Sequence, residues 1–260
     1  MTLAEVGGAD RTRRATAAGP TVVLLHGYLG GSAQWSELEE ALSARFRMVT
    51  PDLPGFGRAR EAAAPASIER FAEHVIADLT ARGIDSFALV GHSMGGMIAQ
   101  EVARAIPDRV ERLVLYGTGA LGCMPDRFEP IEASLDRLGR EGVARTARRI
   151  VATWLAHGEA DPAFETLCAI GAQADAEAAR LGLNAMALWD GRAALSELTM
   201  PSLIIWGERD RSYRWAQIEQ LWRALPGASL AVIPGASHAA HVEKPLLFRL
   251  ILEDFLNGDG

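Results

Sequence analysis

Cysteine is scarce: the 260 residues hold two, Cys123 and Cys168. Two cysteines make no disulfide framework and fit free thiols in a reducing compartment. Neither sits in a nucleophile signature, so both read as structural. Long apolar runs are also missing. No stretch approaches the ~20 apolar residues of a membrane helix, and residues 1–20 lack an apolar core of signal-peptide length. A basic excess is absent too, with 26 Lys and Arg against 33 Asp and Glu and a formal net charge of −7. Phosphate binding needs clustered Lys and Arg, which argues against nucleic acid as a partner. These absences point to a cytoplasmic protein that needs neither a membrane nor nucleic acid. Its expected partners are a small-molecule substrate and, at most, a second copy of the chain.

What is present is ordinary for a folded chain, at 49% hydrophobic and 23% charged residues. Short apolar runs at 21–25, 46–50, 87–90, 110–116, 202–206 and 229–233 have strand length and little polar alternation, as strands covered on both faces do. Helical segments lie between them, at about 35–44, 67–82, 94–106, 215–224 and 245–256. Alternating β and α predicts an α/β fold with a mainly parallel, doubly wound sheet. The alternation fails over 121–198. That stretch is rich in Ala, Leu, Arg and Glu, carries helical spacing such as Ile131, Leu135 and Leu138, and is too long for a connection. It predicts a helical subdomain at 121–198, inserted into a core made of 1–120 and 199–260.

Gly91-His92-Ser93-Met94-Gly95 matches G-x-S-x-G between a strand and a helix, the context this motif requires. A serine on such a turn is pushed out at the sheet edge. The helix start behind it offers N–H groups and a partial positive charge to a developing oxyanion. An oxyanion hole needs a second donor, and the glycine-rich loop His26-Gly27-Tyr28-Leu29-Gly30-Gly31 follows an earlier strand. Tyr28 and Met94 are the expected pair.

A serine hydroxyl needs a base, and histidine titrates near neutrality. Of the six histidines, His238 lies in a loop after the strand 229–233, on the same sheet edge as Ser93. His241 is its nearest rival. The orienting acid should also follow a strand. Asp210 does so in Gly207-Glu208-Arg209-Asp210, with Glu208 nearer the strand, whereas Gly117-Thr118-Gly119 after 110–116 holds no carboxylate.

The order Ser93, Asp210, His238 and the segments HGYLGG, PDLPGFG, GHSMGG, WGERD and GASHAAHVEKP together resemble the α/β-hydrolase superfamily over nearly the whole chain. The resemblance implies a mostly parallel, eight-stranded sheet flanked by helices, with 121–198 as a helical cap inserted after the sixth strand. It implies Tyr28 and Met94 as oxyanion donors and no cofactor or metal. One segment departs from the pattern: Arg58 follows Gly57 where relatives often read G-x-G-x-S, and the first two strands are poorly written in 1–20. Dehalogenases and epoxide hydrolases of this family carry Asp where Ser93 stands, so serine favours acyl chemistry. The expected activity is hydrolysis of a small carboxylic ester or lactone. Hydrolysis of a carbon–carbon bond in ring-cleavage products, or a cyclase, lyase or small-molecule receptor on the same scaffold, stays open. Substrate contacts are expected from His26, Gly27 and Leu29, and from Trp154 and Trp189 of the cap. The cap arginines Arg127, Arg145, Arg148 and Arg149 either fork onto a substrate carboxylate or line a solvated face.

Overall fold

The computed structural model describes residues 19–122 and 129–258. Six strands form one sheet: β1 (Thr21–Leu25), β2 (Arg47–Val49), β3 (Phe87–His92), β4 (Val110–Tyr116), β5 (Ser202–Gly207) and β6 (Ser229–Ile233). Their order is β2-β1-β3-β4-β5-β6, and every pair is parallel. The eight strands implied by the resemblance are therefore corrected to six among the described residues. The two poorly written strands fall on 1–20, of which 1–18 lie outside the described residues, as do Cys123 and Arg127. The helical insertion accordingly follows β4, the fourth described strand.

The helices are α1 (Ser36–Leu42), α2 (Ile68–Ala81), α3 (Met94–Ala105), α4 (Ile131–Trp154), α5 (Phe164–Gly171), α6 (Ala176–Leu188), α7 (Trp215–Ala224), α8 (Ala240–Glu243) and α9 (Pro245–Asn257). Helix α4 is broken at Gly142, whose φ of 77° no helix interior accommodates.

The strands are apolar on both faces because helices cover both. Val23, Leu25, Leu89, Leu113, Leu115 and Ile204 pack toward α2, α3 and α7. Their neighbours Val22, Leu24, Val90, Val114 and Ile205 pack toward α1 and α9 around Leu42, Phe248 and Leu252. Helices α4, α5 and α6 lie in the predicted insertion, and α4 packs on both α5 and α6. Among the described residues no helix is long and apolar enough to cross a membrane.

Strand order places the site. From β1 the chain builds β2 on one side and then returns to lay β3 on the other. Loops leaving the carboxyl ends of β1 and β3 diverge there and open a crevice, the usual ligand position in such sheets. The loop of His26–Gly31 and the turn at Ser93 flank that point.

Candidate active site

Ser93 sits between β3 and α3 with φ 55° and ψ −118°, a conformation that costs a non-glycine residue of order 1–3 kcal/mol. Its surroundings enforce it. The Ser93 N–H donates to the Tyr116 carbonyl at 2.9 Å, and the Thr118 hydroxyl donates to the Ser93 carbonyl at 2.8 Å. A Cβ at Gly91 would lie 2.3 Å from the Gly95 carbonyl oxygen, and one at Gly95 would lie 2.5 Å from that of Leu25. Both glycines are therefore the space into which strand, turn and helix close. Met94 is the first residue of α3, so its N–H has no carbonyl within the helix to bond. Tyr28 lines the same cavity as Ser93 and His238.

The Asp210 carboxylate is buried and oriented from several sides. Its Oδ1 accepts from the N–H groups of Ser212 at 2.7 Å and Tyr213 at 3.1 Å. Its Oδ2 lies 2.9 Å from His238 Nδ1. A carboxylate only accepts, so Nδ1 carries the hydrogen and the neutral ring keeps its Nε2 lone pair for a proton. The imidazole is held between Tyr213, stacked with centroids 5.8 Å apart, and Trp154 at 5.9 Å. The structure thus brings Ser93 and His238 to one cavity, with Asp210 bonded behind His238. Glu208, the rival acid, is exposed and accepts from the Gly235 N–H instead.

Behind His238 lies a buried polar cluster that sequence reasoning missed. The His238 carbonyl accepts from the Tyr116 hydroxyl at 2.8 Å and from His92 Nε2 at 3.1 Å. His92 therefore carries its hydrogen on Nε2 and accepts from Gln34 Nε2 on Nδ1, at 3.2 Å. Burial, and repulsion from His238 and His241, push the His92 pKa well below the usual histidine value. Burial and the same neighbour push His241 down to about 3, and its Nδ1 is 3.1 Å from the Tyr116 hydroxyl. His241 is thus a neutral ring packed against Trp35, His92 and Tyr116, and it does not line the cavity that holds Ser93. Burial also raises the Tyr116 phenol well above its ordinary range, which keeps it a donor.

The substrate contacts expected from sequence divide. Trp154 lines the cavity with Tyr28, Ile150, Leu183 and Met186. His26, Gly27, Leu29 and Trp189 are not among its lining residues. His26 Nε2 accepts from the Leu53 N–H at 2.9 Å, and Nδ1 donates to the Gly27 carbonyl at 2.8 Å, so the ring pins the following loop 51–57. Gly27 lies against the nucleophile turn, where a Cβ would be 3.0 Å from that of Ser93. Leu29 is a buried residue with φ 50°. The Trp189 indole N–H donates to Glu101 at 2.9 Å, against α3. Two of the insertion arginines are engaged elsewhere: Arg148 forks onto Glu165 and Arg149 bonds Glu129. The departure at Arg58 has a local role. Its Nε donates to Asp52 at 2.9 Å, beside the Ser32 N–H and hydroxyl. Burial raises the Asp52 carboxyl, but these donors outweigh it and hold the group below its usual value.

Both loops that carry Asp210 and His238 grip the end of α4. The Ala239 N–H donates to the Trp154 carbonyl at 3.0 Å. Glu243 accepts from Ala156 N–H at 2.7 Å and Ser237 N–H at 2.6 Å. In Glu243→Gln one acceptor becomes an NH₂ facing a buried N–H, which costs about 1–3 kcal/mol. Urea unfolding is expected to show a midpoint lowered accordingly. An unchanged midpoint contradicts a stabilising role for the clamp.

Among the described residues no group of three or more His, Cys, Asp or Glu side chains is placed to hold a metal ion. The family model described as the alpha/beta hydrolase family matches residues 22–249. The chain is 32% identical over 257 residues to a pimeloyl-(acyl-carrier protein) methyl ester esterase of Aromatoleum aromaticum, covering 92% of this chain and 99% of that one. It is 27% identical over 252 residues to a 2-hydroxy-6-oxononadienedioate/2-hydroxy-6-oxononatrienedioate hydrolase of Dechloromonas aromatica, covering 91% and 86%. Among solved structures, the enol-lactonase of Burkholderia xenovorans is similar with a TM-score of 0.85 at 25% identity, over 94% of each chain.

Proposed function

The chain belongs to the alpha/beta hydrolase family, and on that premise we propose that it hydrolyses a small carboxylic ester or lactone through Ser93, His238 and Asp210. One observation carries this reading. The strained Ser93 turn opens onto the same cavity as His238, whose far nitrogen is committed to Asp210. His238 Nε2 takes the Ser93 proton as the hydroxyl attacks the substrate carbonyl. The N–H groups of Tyr28 and Met94 receive the oxyanion. His238 then protonates the leaving alkoxide, and water attacks the acyl-enzyme with His238 again as base. Asp210 stabilises the imidazolium and holds the ring's tautomer. The relatives named as esterase and lactonase support an acyl substrate, which passes beneath a cap formed by 121–198 on a core of 1–120 and 199–260.

Turnover of a short-chain p-nitrophenyl ester, with a burst of nitrophenolate stoichiometric with enzyme at high substrate, is the expected result. Tight binding of a small ester with no release of nitrophenolate would instead support a receptor on this scaffold.

A further inference from the structure

The cavity shared by Ser93 and His238 is mostly apolar, with Ile150, Trp154, Leu183 and Met186 in its walls. Among its described lining residues, Arg211 is the one permanently charged side chain. We propose that the substrate carries a free carboxylate and that Arg211 is the residue that holds it. This rests on the reading of Ser93 as a hydrolytic nucleophile and narrows its substrate class.

Arg211 follows Asp210 directly, on a loop fixed by the bonds from the Ser212 and Tyr213 N–H groups to the Asp210 carboxylate. Its Nη2 donates to the carbonyls of Ala152 at 3.1 Å and Leu155 at 2.9 Å. Those residues flank Thr153 and Trp154, which belong to the same cavity wall. The two carbonyls, at the carboxyl end of α4, orient the guanidinium, which is otherwise exposed to solvent. No carboxylate among the described residues lies within ion-pairing distance of Arg211. In the insertion Arg137, Arg140, Arg148, Arg149, Arg180 and Arg192 meet an acidic partner, whereas among the described residues Arg145 does not, but Arg145 does not line the cavity as Arg211 does. The donors of Arg211 that point away from the two carbonyls suit the fork geometry of a carboxylate. A net charge of −7 gives no long-range attraction for anions, so the preference has to arise from this local contact.

Two pairs of esters test the proposal: monomethyl glutarate against methyl pentanoate, and 4-acetoxybutyrate against butyl acetate. The first places the carboxylate on the acyl side and the second on the alcohol side. For at least one pair the anionic ester is expected to have a kcat/KM about tenfold or more above its neutral counterpart, as one charge-assisted contact supplies. Arg211→Gln is expected to bring that ratio down to near one, through a higher KM for the anion. Arg211→Lys is expected to keep part of it. A wild-type ratio near one in both pairs overturns the proposal, and this needs no variant. A Gln variant that lowers both members of a pair equally also overturns it, leaving Arg211 as a cap for α4. Hydrolysis of neutral esters at the anionic rate sinks this inference alone. Hydrolysis of none of the four sinks the hydrolase reading with it.

Discussion

Replacing Ser93 by alanine lowers kcat for ester hydrolysis about 10³-fold or more, to what the oxyanion donors and binding alone sustain. The cavity holds other hydroxyls, on Thr153, Ser212, Tyr213 and Tyr28. None of them sits on a strained turn at a helix N-terminus, as Ser93 does. The alanine variant keeps the turn, because the bonds that enforce φ 55° run through the Ser93 backbone. Its melting temperature should therefore stay close to that of the wild type, which separates lost chemistry from lost folding. A variant that retains a tenth of wild-type kcat would remove Ser93 from the mechanism.

The second large effect is loss of stability in mild acid. His26, His92 and His241 are buried, and burial lowers the pKa of each, that of His241 to about 3. In the unfolded chain these rings titrate near 6.5. Above that pH they are neutral in both states and add no pH dependence. Below it the unfolded chain takes up protons that the folded chain refuses, so stability falls as pH falls, down to the folded-state value. For His241 alone the loss reaches ~2 kcal/mol at pH 5. His92 and His26 are lowered in the same sense and deepen it. Against a typical total of about 5–15 kcal/mol this is a large share. Urea titrations at pH 7.5, 6 and 5 should give steadily falling unfolding free energies, with a shallower fall in His241→Gln. Constant stability across that range would mean the rings are charged, or solvated, in the folded protein.

The strands were legible because a sheet covered on both faces writes continuous apolar runs, and each predicted run overlaps a described strand. The second run is shorter in the structure, 47–49 against 46–50, at the described edge of the sheet. The Ser93, Asp210 and His238 segments were legible because each sits in a short loop just past a strand. Contacts between distant segments were not. The His238 carbonyl is held by Tyr116 and His92, which lie 122 and 146 residues earlier. Neither residue type announces that role locally. Trp189 shows the same limit. Helical spacing marks it as buried but cannot tell the cavity wall from α3, and its bond to Glu101 spans 88 residues. Arg211 was overlooked for the opposite reason, since a cation beside an acidic residue on a loop reads as an ordinary surface turn.

Everything proposed for the site turns on Ser93 being an activated nucleophile. Labelling the folded protein with a fluorophosphonate and mapping the adduct by mass spectrometry tests it most directly. The predicted result is a single adduct, on Ser93, that fails to form in His238→Ala. An unlabelled Ser93 in folded wild-type protein, or labelling that persists without His238, would contradict it.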